Sequence, residues 1–216
     1  MASPIDPNNP AVRLLRRSPW ARRGLTAVTV GLLAGAILLL GYPVYTNLYQ
    51  DYRQRQLRHQ LASSSLRQAY LTHSVAEGDS LTRLRIPRLG VDVVVVEGTS
   101  ASALRAGAGH YPETPLPCDI GNVAVAGHRT TYGKPFNQID RLSPGDVITM
   151  DTPIGRCTYQ VAKAPFIVAP DNLSVVAPPQ DPQARQLTLT SCNPKGSAAE
   201  RIIIRATYVS GAVSST

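Results

Sequence analysis

One cysteine stands at the end of a strand-like run, where its thiol is open to reaction. Cys192 closes the alternating segment 188–192 and is followed by a turn-forming segment at 193–196. A thiol becomes a nucleophile when a neighbouring cation or histidine stabilises its thiolate form. His128, which ends another strand-like run, and Arg201, nine residues after the cysteine, are the best candidates for this task. The chemistry these three residues predict is covalent catalysis by sulfur.

The elements that position these residues are short and β-branched. From Leu81 onward, runs of Val, Ile and Thr alternate with Gly, Pro, Asn and Asp, which predicts an all-β barrel or sandwich. A short helix is expected at 100–106, capped by Ser100 or Ser102, and another helical turn at 136–141. The segment 107–112, which contains His110, is expected to be a turn in which this histidine is structural. The predicted strands are 84–86, 91–96, 122–126, 146–150, 157–168, 186–191 and 201–209.

An apolar segment precedes this region. Residues 24–50 contain no charged side chain, and the apolar stretch 24–45 is about as long as a bilayer-spanning helix. A cleaved signal peptide is the alternative, but its apolar region is normally about 7–15 residues. Five arginines lie just before the span, so the positive-inside rule predicts a cytoplasmic N-terminus and an extracellular remainder. They are Arg13, Arg16, Arg17, Arg22 and Arg23.

These features divide the chain into five predicted regions. A stalk or linker at 46–80 is helical from about 51 to 74, with an interruption at the three serines 63–65. The net charge of +8 comes largely from arginines that flank the predicted span, so we expect contact with anionic lipid rather than with nucleic acid. The predicted regions are a cytoplasmic tail at 1–23, a transmembrane helix at 24–45, the stalk at 46–80, an extracellular catalytic domain at 81–210 and a tail at 211–216.

The three cysteines all follow the predicted span. An odd number of cysteines outside a cell leaves at least one thiol unpaired. If Cys192 must remain free, Cys118 and Cys157 form the only compatible bridge. This pairing is a hypothesis that rests on the predicted compartment.

Three short motifs together resemble the signature of the sortases, which are membrane-anchored cysteine transpeptidases of Gram-positive bacteria. They are the segment 126–128 that ends in His128, the segment 188–192 that ends in Cys192, and Arg201. Longer matches at 109–112 and 127–136 resemble class E sortases of actinobacteria. The resemblance implies a closed β-barrel of about eight strands with short helices, and a housekeeping role with a Leu-Ala-X-Thr-Gly or Leu-Pro-X-Thr-Gly sorting signal.

The resemblance also implies roles for individual residues. Cys192, as a thiolate, would attack the carbonyl of the Thr-Gly bond, and Arg201 would stabilise the oxyanion. His128, as an imidazolium, would donate a proton to the departing glycine amine and, once neutral, could deprotonate the incoming amine. Strand alternation puts Arg205 on the same face as Arg201, so it is the alternative partner. The expected substrate-binding residues are Tyr132, Thr190 and Ser191, and Gly127 is expected to let the backbone turn before His128.

The same resemblance implies the partners. They are secreted proteins with a C-terminal sorting signal and a peptidoglycan precursor amine of the lipid II type. We expect no cofactor and no metal site, since the acidic residues are scattered.

Three other functions compete with this interpretation. A pilin-polymerising sortase would commonly carry an acidic-aromatic lid and a second hydrophobic segment, and neither pattern is present. A catalytically inert, membrane-tethered wall-binding module would not need Cys192, His128 and Arg201 together. A papain-like peptidase lacks support, because its Cys-Gly-Ser-Cys-Trp pattern does not occur.

Overall fold

A long helix begins the part of the chain that the computed structural model describes, residues 18–213. This helix, α1 (Pro19–Leu61), continues through Pro43 and contains an apolar stretch long enough to cross a membrane. Its apolar side chains before Thr46 are largely exposed within the protein, as expected for a segment that faces lipid. The prediction of one long N-terminal apolar helix is confirmed. Most of the predicted tail at 1–23, and residues 214–216 of the predicted tail at 211–216, lie outside the described residues.

Nine strands and short helices form the second compact unit, which begins at Thr46. The first four strands are β1 (Ser80–Ile86), β2 (Val91–Glu97), β3 (Ala108–His110) and β4 (Gly121–Ala126). The remaining strands are β5 (Val147–Thr152), β6 (Gly155–Val161), β7 (Phe166–Val168), β8 (Arg185–Asn193) and β9 (Glu200–Val213). The helices are α2 (Ser64–Leu71) and α3 (Ala101–Ala106), with 3-10 turns at Pro87–Leu89, Ile139–Arg141 and Leu173–Val175.

Eight of the strands close into a barrel. They are joined in the order β6, β5, β1, β2, β3, β4, β8 and β9, and pairing between β6 and β9 completes the ring. The remaining strand, β7, lies beside the first residues of β9. The predicted closed barrel of about eight strands is therefore confirmed. Its interior is filled by buried apolar side chains, most of them from strands all round the barrel.

β4 and β8 run parallel to each other at the centre of this sheet. Both are buried along most of their length, as is usual for parallel strands that are covered on both faces. Asn122 on β4 donates to the carbonyls of Val175 and Ala177 at 3.1 and 3.0 Å and accepts from Thr188 Oγ1 at 2.7 Å. The segment between β7 and β8 thus covers these two strands.

The residues that we predicted to form a stalk pack against the barrel. Gln54 on α1 donates to the carbonyls of Val94 and Ala106 at 3.0 and 2.9 Å and accepts from the Val94 amide at 2.7 Å. Leu57 packs with buried side chains of β2 and α3. The interruption between α1 and α2 falls at Ser63, whose hydroxyl accepts from the Leu66 amide at 3.2 Å as the N-cap of α2.

Two details differ from the sequence-based expectations. The segment 107–112, predicted to be a turn, includes β3, which pairs in parallel with β2. The segment 157–168, predicted as one strand, is divided into β6 and β7 around Pro165, which has no amide hydrogen for a strand ladder. Both differences depend on pairing between segments that are separate in sequence. β3 is a strand because it pairs with β2, and β6 and β7 are separate strands because they pair with different halves of β9.

Candidate active site

Strand pairing brings His128 and Cys192 to the same end of the barrel. In the parallel pair of β4 and β8, Ala126 is the partner of Thr190, and each candidate residue follows two positions later. The Gly127 amide donates to the Thr190 carbonyl at 3.1 Å, which extends the pairing beyond β4. The two side chains therefore arrive at one rim because their strands run in the same direction and in this register.

The antiparallel pair of β8 and β9 adds the third residue. Cys192 and Arg201 are direct partners in that ladder. Arg205 lies four residues further along β9, opposite Thr188, and its Nη1 donates to Gln186 at 3.4 Å. The structure thus separates the two arginines that strand alternation left equivalent, and it is Arg201 that lies beside the cysteine.

These three side chains line one open cleft of about 250 Å³. Of the chain's three cysteines, Cys192 is the free one, and it is partly exposed. Arg201 is held at the edge of the cleft, because its Nη1 donates to the carbonyls of Ala198 and Glu200 at 3.0 Å each. The cleft therefore brings together a free thiol, an imidazole and a held guanidinium, and acyl transfer can use these three kinds of group. The full lining is Thr99, Leu104, Tyr111, Ala126, Gly127, His128, Thr190, Ser191, Cys192 and Arg201.

Gly127 allows a close approach between the backbone and a buried aromatic ring. A Cβ at this position would lie 2.5 Å from Cδ2 of Phe136, which is fully buried. The φ of Gly127 lies outside the left-handed region, so the backbone conformation does not require glycine, contrary to our expectation of a turn. Glycine is required here because a side chain would overlap Phe136. Any larger residue here would displace Phe136 directly beside His128.

Arg129 holds the loop that follows His128. Its Nε donates to the Asn137 carbonyl at 2.9 Å, and its Nη2 donates to Asp140 at 2.8 Å. Asn137 in turn donates to the Arg129 carbonyl at 2.7 Å, and the Phe136 amide donates to the His128 carbonyl at 3.2 Å. This arginine is buried, which is rare for its type, and it stabilises the loop from within.

His128 is partly buried, and this lowers its pKa. Burial disfavours the imidazolium form, and the positive charge of Arg105 acts in the same direction. Its ring also lies against Tyr132, with ring centroids 5.4 Å apart and the planes inclined by 35°. The neutral imidazole is therefore favoured in the free protein at neutral pH.

The expected substrate-binding residues have different surroundings. Thr190 lines the cleft, and its hydroxyl lies 3.0 Å from that of Tyr111. Ser191 also lines it, but its hydroxyl donates to the Gly127 carbonyl at 2.7 Å and so connects β8 to the segment after β4. Tyr132 contacts the His128 ring from outside the cleft lining.

Sequence reasoning missed three of the lining residues, Thr99, Leu104 and Tyr111. They come from the segment around α3 and from the residue after β3, so only the pairing of β3 with β4 brings them near His128. Tyr111 had one usable signal, since it lies within the motif at 109–112. Leu104 and Thr99 had none.

The other histidines lie elsewhere. His110 is buried, with Nδ1 at 2.9 Å from Glu97 and Nε2 at 2.9 Å from the Pro115 carbonyl. His73 is exposed, 3.4 Å from Asp119, and His59 is on α1. His128 is therefore the histidine that the fold presents to Cys192.

Cys118 and Cys157 are joined by a disulfide in the structure. Both are buried, and neither lines the cleft. The Cys118 amide donates to the Tyr159 hydroxyl at 3.2 Å. Within residues 18–213, no group of three or more His, Cys, Asp or Glu side chains is arranged to bind a metal ion.

Comparison with known proteins places this geometry in context. The sequence model of the Sortase domain matches residues 84–209, which is more than half of the chain. Sortase SrtE1 of Streptomyces coelicolor is 31% identical over 212 positions, covering 88% of this chain, and Sortase D of Bacillus subtilis is 33% identical over 124 positions, covering 56%. The chain spans 60% of the length of each of these relatives. The solved structure of sortase E from Streptomyces avermitilis is 33% identical, with a TM-score of 0.58 over 64% of this chain and 93% of that one.

Proposed function

The chain belongs to the sortase family, and from this premise we propose that it is a membrane-anchored cysteine transpeptidase of class E. Its substrates would be secreted proteins with a Leu-Ala-X-Thr-Gly or Leu-Pro-X-Thr-Gly sorting signal. The acceptor would be a cell-wall amine of the lipid II type. The observation that supports this most directly is the convergence of Cys192, His128 and Arg201 on one open cleft.

The first half of the reaction forms a thioester. Neutral His128 accepts the thiol proton of Cys192 as the sulfur attacks the carbonyl carbon of the Thr-Gly bond. Arg201, held by two backbone carbonyls, donates to the oxyanion that forms. When the C–N bond breaks, the imidazolium returns the proton to the departing glycine amine.

The second half transfers the acyl group. His128 is neutral again and takes a proton from the incoming amine as that amine attacks the thioester carbon. The C–S bond breaks, and the sulfur leaves with the proton that His128 carries. The lowered pKa of His128 supports this cycle, because the free protein then starts with the base in its neutral form.

The membrane anchor and its orientation are part of the same proposal. The apolar stretch of α1 supports a single span, and Arg22 and Arg23 at its start support a cytoplasmic N-terminus. The disulfide between Cys118 and Cys157 is consistent with a catalytic domain in the oxidising environment outside the cell. We propose that the catalytic domain is extracellular.

The test uses the full chain in detergent micelles with fluorogenic Leu-Ala-X-Thr-Gly and Leu-Pro-X-Thr-Gly peptides, with and without an amine acceptor. We expect a thioester adduct on Cys192 by mass spectrometry and an amide product when the amine is present. Cys192→Ala should abolish both. Cleavage that survives this substitution would reject the mechanism.

A matched pair of arginine variants tests the oxyanion role. Arg201→Ala should lower kcat/KM by about 10²–10³-fold, the usual effect of removing one oxyanion donor. Arg205→Ala, four residues along the same strand, should change kcat/KM far less, because its guanidinium contacts Gln186 and lies away from the cleft. Equal losses from both variants would contradict the assignment of Arg201.

A further inference from the structure

A chain of aromatic contacts runs from α1 to the candidate catalytic histidine. The ring of Tyr49 on α1 meets the ring of Tyr132 edge-on, with centroids 6.2 Å apart and planes at 78°. Tyr132 lies in turn against His128 at 5.4 Å. Such edge-to-face and tilted pairs are favourable arrangements for aromatic rings. The helix therefore reaches the imidazole through one intermediate side chain.

The loop that carries Tyr132 touches the same helix at two further points. The Gly133 amide donates to Oδ1 of Asn47 at 3.2 Å. Gln50 is buried against Gly133 so closely that a Cβ there would lie 2.3 Å from its Oε1. These contacts come from three residues within one turn of α1, Asn47, Tyr49 and Gln50, which together we call the α1 contact face.

The backbone of this loop has an unfavourable conformation. Tyr132, Gly133 and Lys134 have φ values of 47°, 68° and 42°, all in the left-handed region. Non-glycine residues adopt this region rarely and at an energetic cost, so the surrounding contacts must stabilise it. The α1 contact face supplies such contacts to Gly133 and Tyr132.

The imidazole of His128 depends on packing for its orientation. Among residues 18–213, no hydrogen bond is made by its ring nitrogens, whereas its backbone carbonyl accepts from the Phe136 amide. His128 lines the same cleft as Cys192, Arg201 and Tyr111. The positive charge of Arg105 on α3 also acts on the imidazole. Tyr132 is therefore the side chain in ring contact with His128, and Tyr49 supports Tyr132.

We propose that Tyr49, through Tyr132, is a positioning residue that holds the His128 imidazole in its productive orientation. This inference rests on the proposed function, in which His128 moves the protons. It assigns a role in the reaction to residues that immediately follow the apolar span in the sequence. The helix that carries the anchor would then also complete the active site.

The experiment compares two tyrosines of the same helix in the full chain in detergent micelles. Tyr49→Ala removes the ring that meets Tyr132, whereas Tyr52→Ala removes an exposed ring whose hydroxyl accepts from Gln56 on α1 itself. We expect Tyr49→Ala to lower kcat by about two- to tenfold, the range for one aromatic pair, with KM changed less. Tyr52→Ala should match the wild type, and Tyr49→Phe, which keeps the ring, should restore most of kcat.

Two further measurements distinguish positioning from general stability. NMR titration of His128 should show its pKa rising towards the ordinary value in Tyr49→Ala, because the imidazole becomes more hydrated. In a Tyr132→Ala background, Tyr49→Ala should have no additional effect on kcat. If Tyr49→Ala unfolds at the assay temperature, Tyr49→Leu replaces it, with the same fall in kcat expected because the ring edge is absent.

The outcomes separate the two proposals. If kcat and the His128 titration of Tyr49→Ala equal those of Tyr52→Ala, or if the effects of Tyr49→Ala and Tyr132→Ala simply add, the positioning role is overturned. The titration needs no turnover, so it can be read whatever the activity of the chain. Peptide cleavage by Cys192→Ala would instead overturn the transpeptidase mechanism itself.

Discussion

Removal of the Cys118–Cys157 bridge should destabilise the barrel by a predictable amount without altering the cleft. The two cysteines are 39 residues apart in sequence. In the chain-entropy treatment, a bridge of this span restricts the unfolded chain by about 13 cal/mol/K, or about 4 kcal/mol at 25 °C. For a unit of this size, that corresponds to a fall in Tm of about 8–16 °C.

The assay is thermal unfolding of a Cys118→Ala/Cys157→Ala double variant. Cys192→Ala is introduced in all samples of the stability series, so that the remaining thiol cannot exchange. Refolding in reductant provides the matched control: it should lower the Tm of the bridged protein to near that of the double variant, and any remaining difference reports the packing of the two buried thiols. With Cys192 present, kcat/KM at a temperature well below the transition should stay within about twofold of wild type, since neither cysteine lines the cleft.

Two results would refute this reasoning. Titration of the unfolded, unreduced protein should detect one free thiol, and detection of three would show that the bridge is absent. A fall in Tm of less than about 2 °C would show that the bridge does not restrict the unfolded chain as the entropy treatment requires. A large loss of kcat/KM at low temperature would show that the bridge also shapes the active site.

Three further results are expected. Replacing Arg105 by Gln should raise the pKa of His128 towards its ordinary value, because a repelling positive charge is removed. The acidic limb of the kcat/KM pH profile should then move to higher pH. A limb that does not move would show that the charge of Arg105 does not lower the pKa of His128. Gly127→Ala should cost about 1–3 kcal/mol in chemical unfolding, because the new Cβ overlaps Phe136, and Phe136→Leu in the same chain should recover part of it; full stability of the single variant would contradict the close approach. Tyr132→Ala should lower kcat for the alanine and proline forms of the sorting signal by a similar factor, because Tyr132 contacts the His128 ring from outside the cleft lining; a changed ratio of kcat/KM between the two peptides would contradict this and support the predicted substrate-binding role of Tyr132.

Local sequence patterns were sufficient for most elements of this fold, but not for β3 or for the division between β6 and β7. The strand runs, the capped helix at α3 and the long apolar helix all follow from interactions between residues close in sequence. Closure of the barrel did not follow from pattern alone, because pairing between β6 and β9 joins residues about 50 positions apart. The resemblance to sortases supplied that expectation.

The candidate site divides in the same way. Residue type and spacing singled out Cys192, His128 and Arg201, and each lies within two residues of a strand end, where a sequence pattern changes from strand to turn. The choice of Arg201 over Arg205 needed the register of β8 and β9. The ion pair of the buried Arg129 with Asp140, eleven residues further along the chain, forms only when the loop between them folds back.

The sequence by itself determined the reactive residue types, the all-β fold class and the apolar helix, because these depend on side-chain chemistry and on periodicity over a few residues. Tertiary structure alone decided which residues share the cleft, why Gly127 must be small, and that α1 packs against the loop after His128. The cleft and the packing of α1 depend on contacts between segments far apart in the chain, such as Asn47 with Gly133, and Gly127 must be small because the loop after it folds Phe136 back against it. Such contacts are selected by the free energy of the whole fold and leave no periodic trace in the segments themselves.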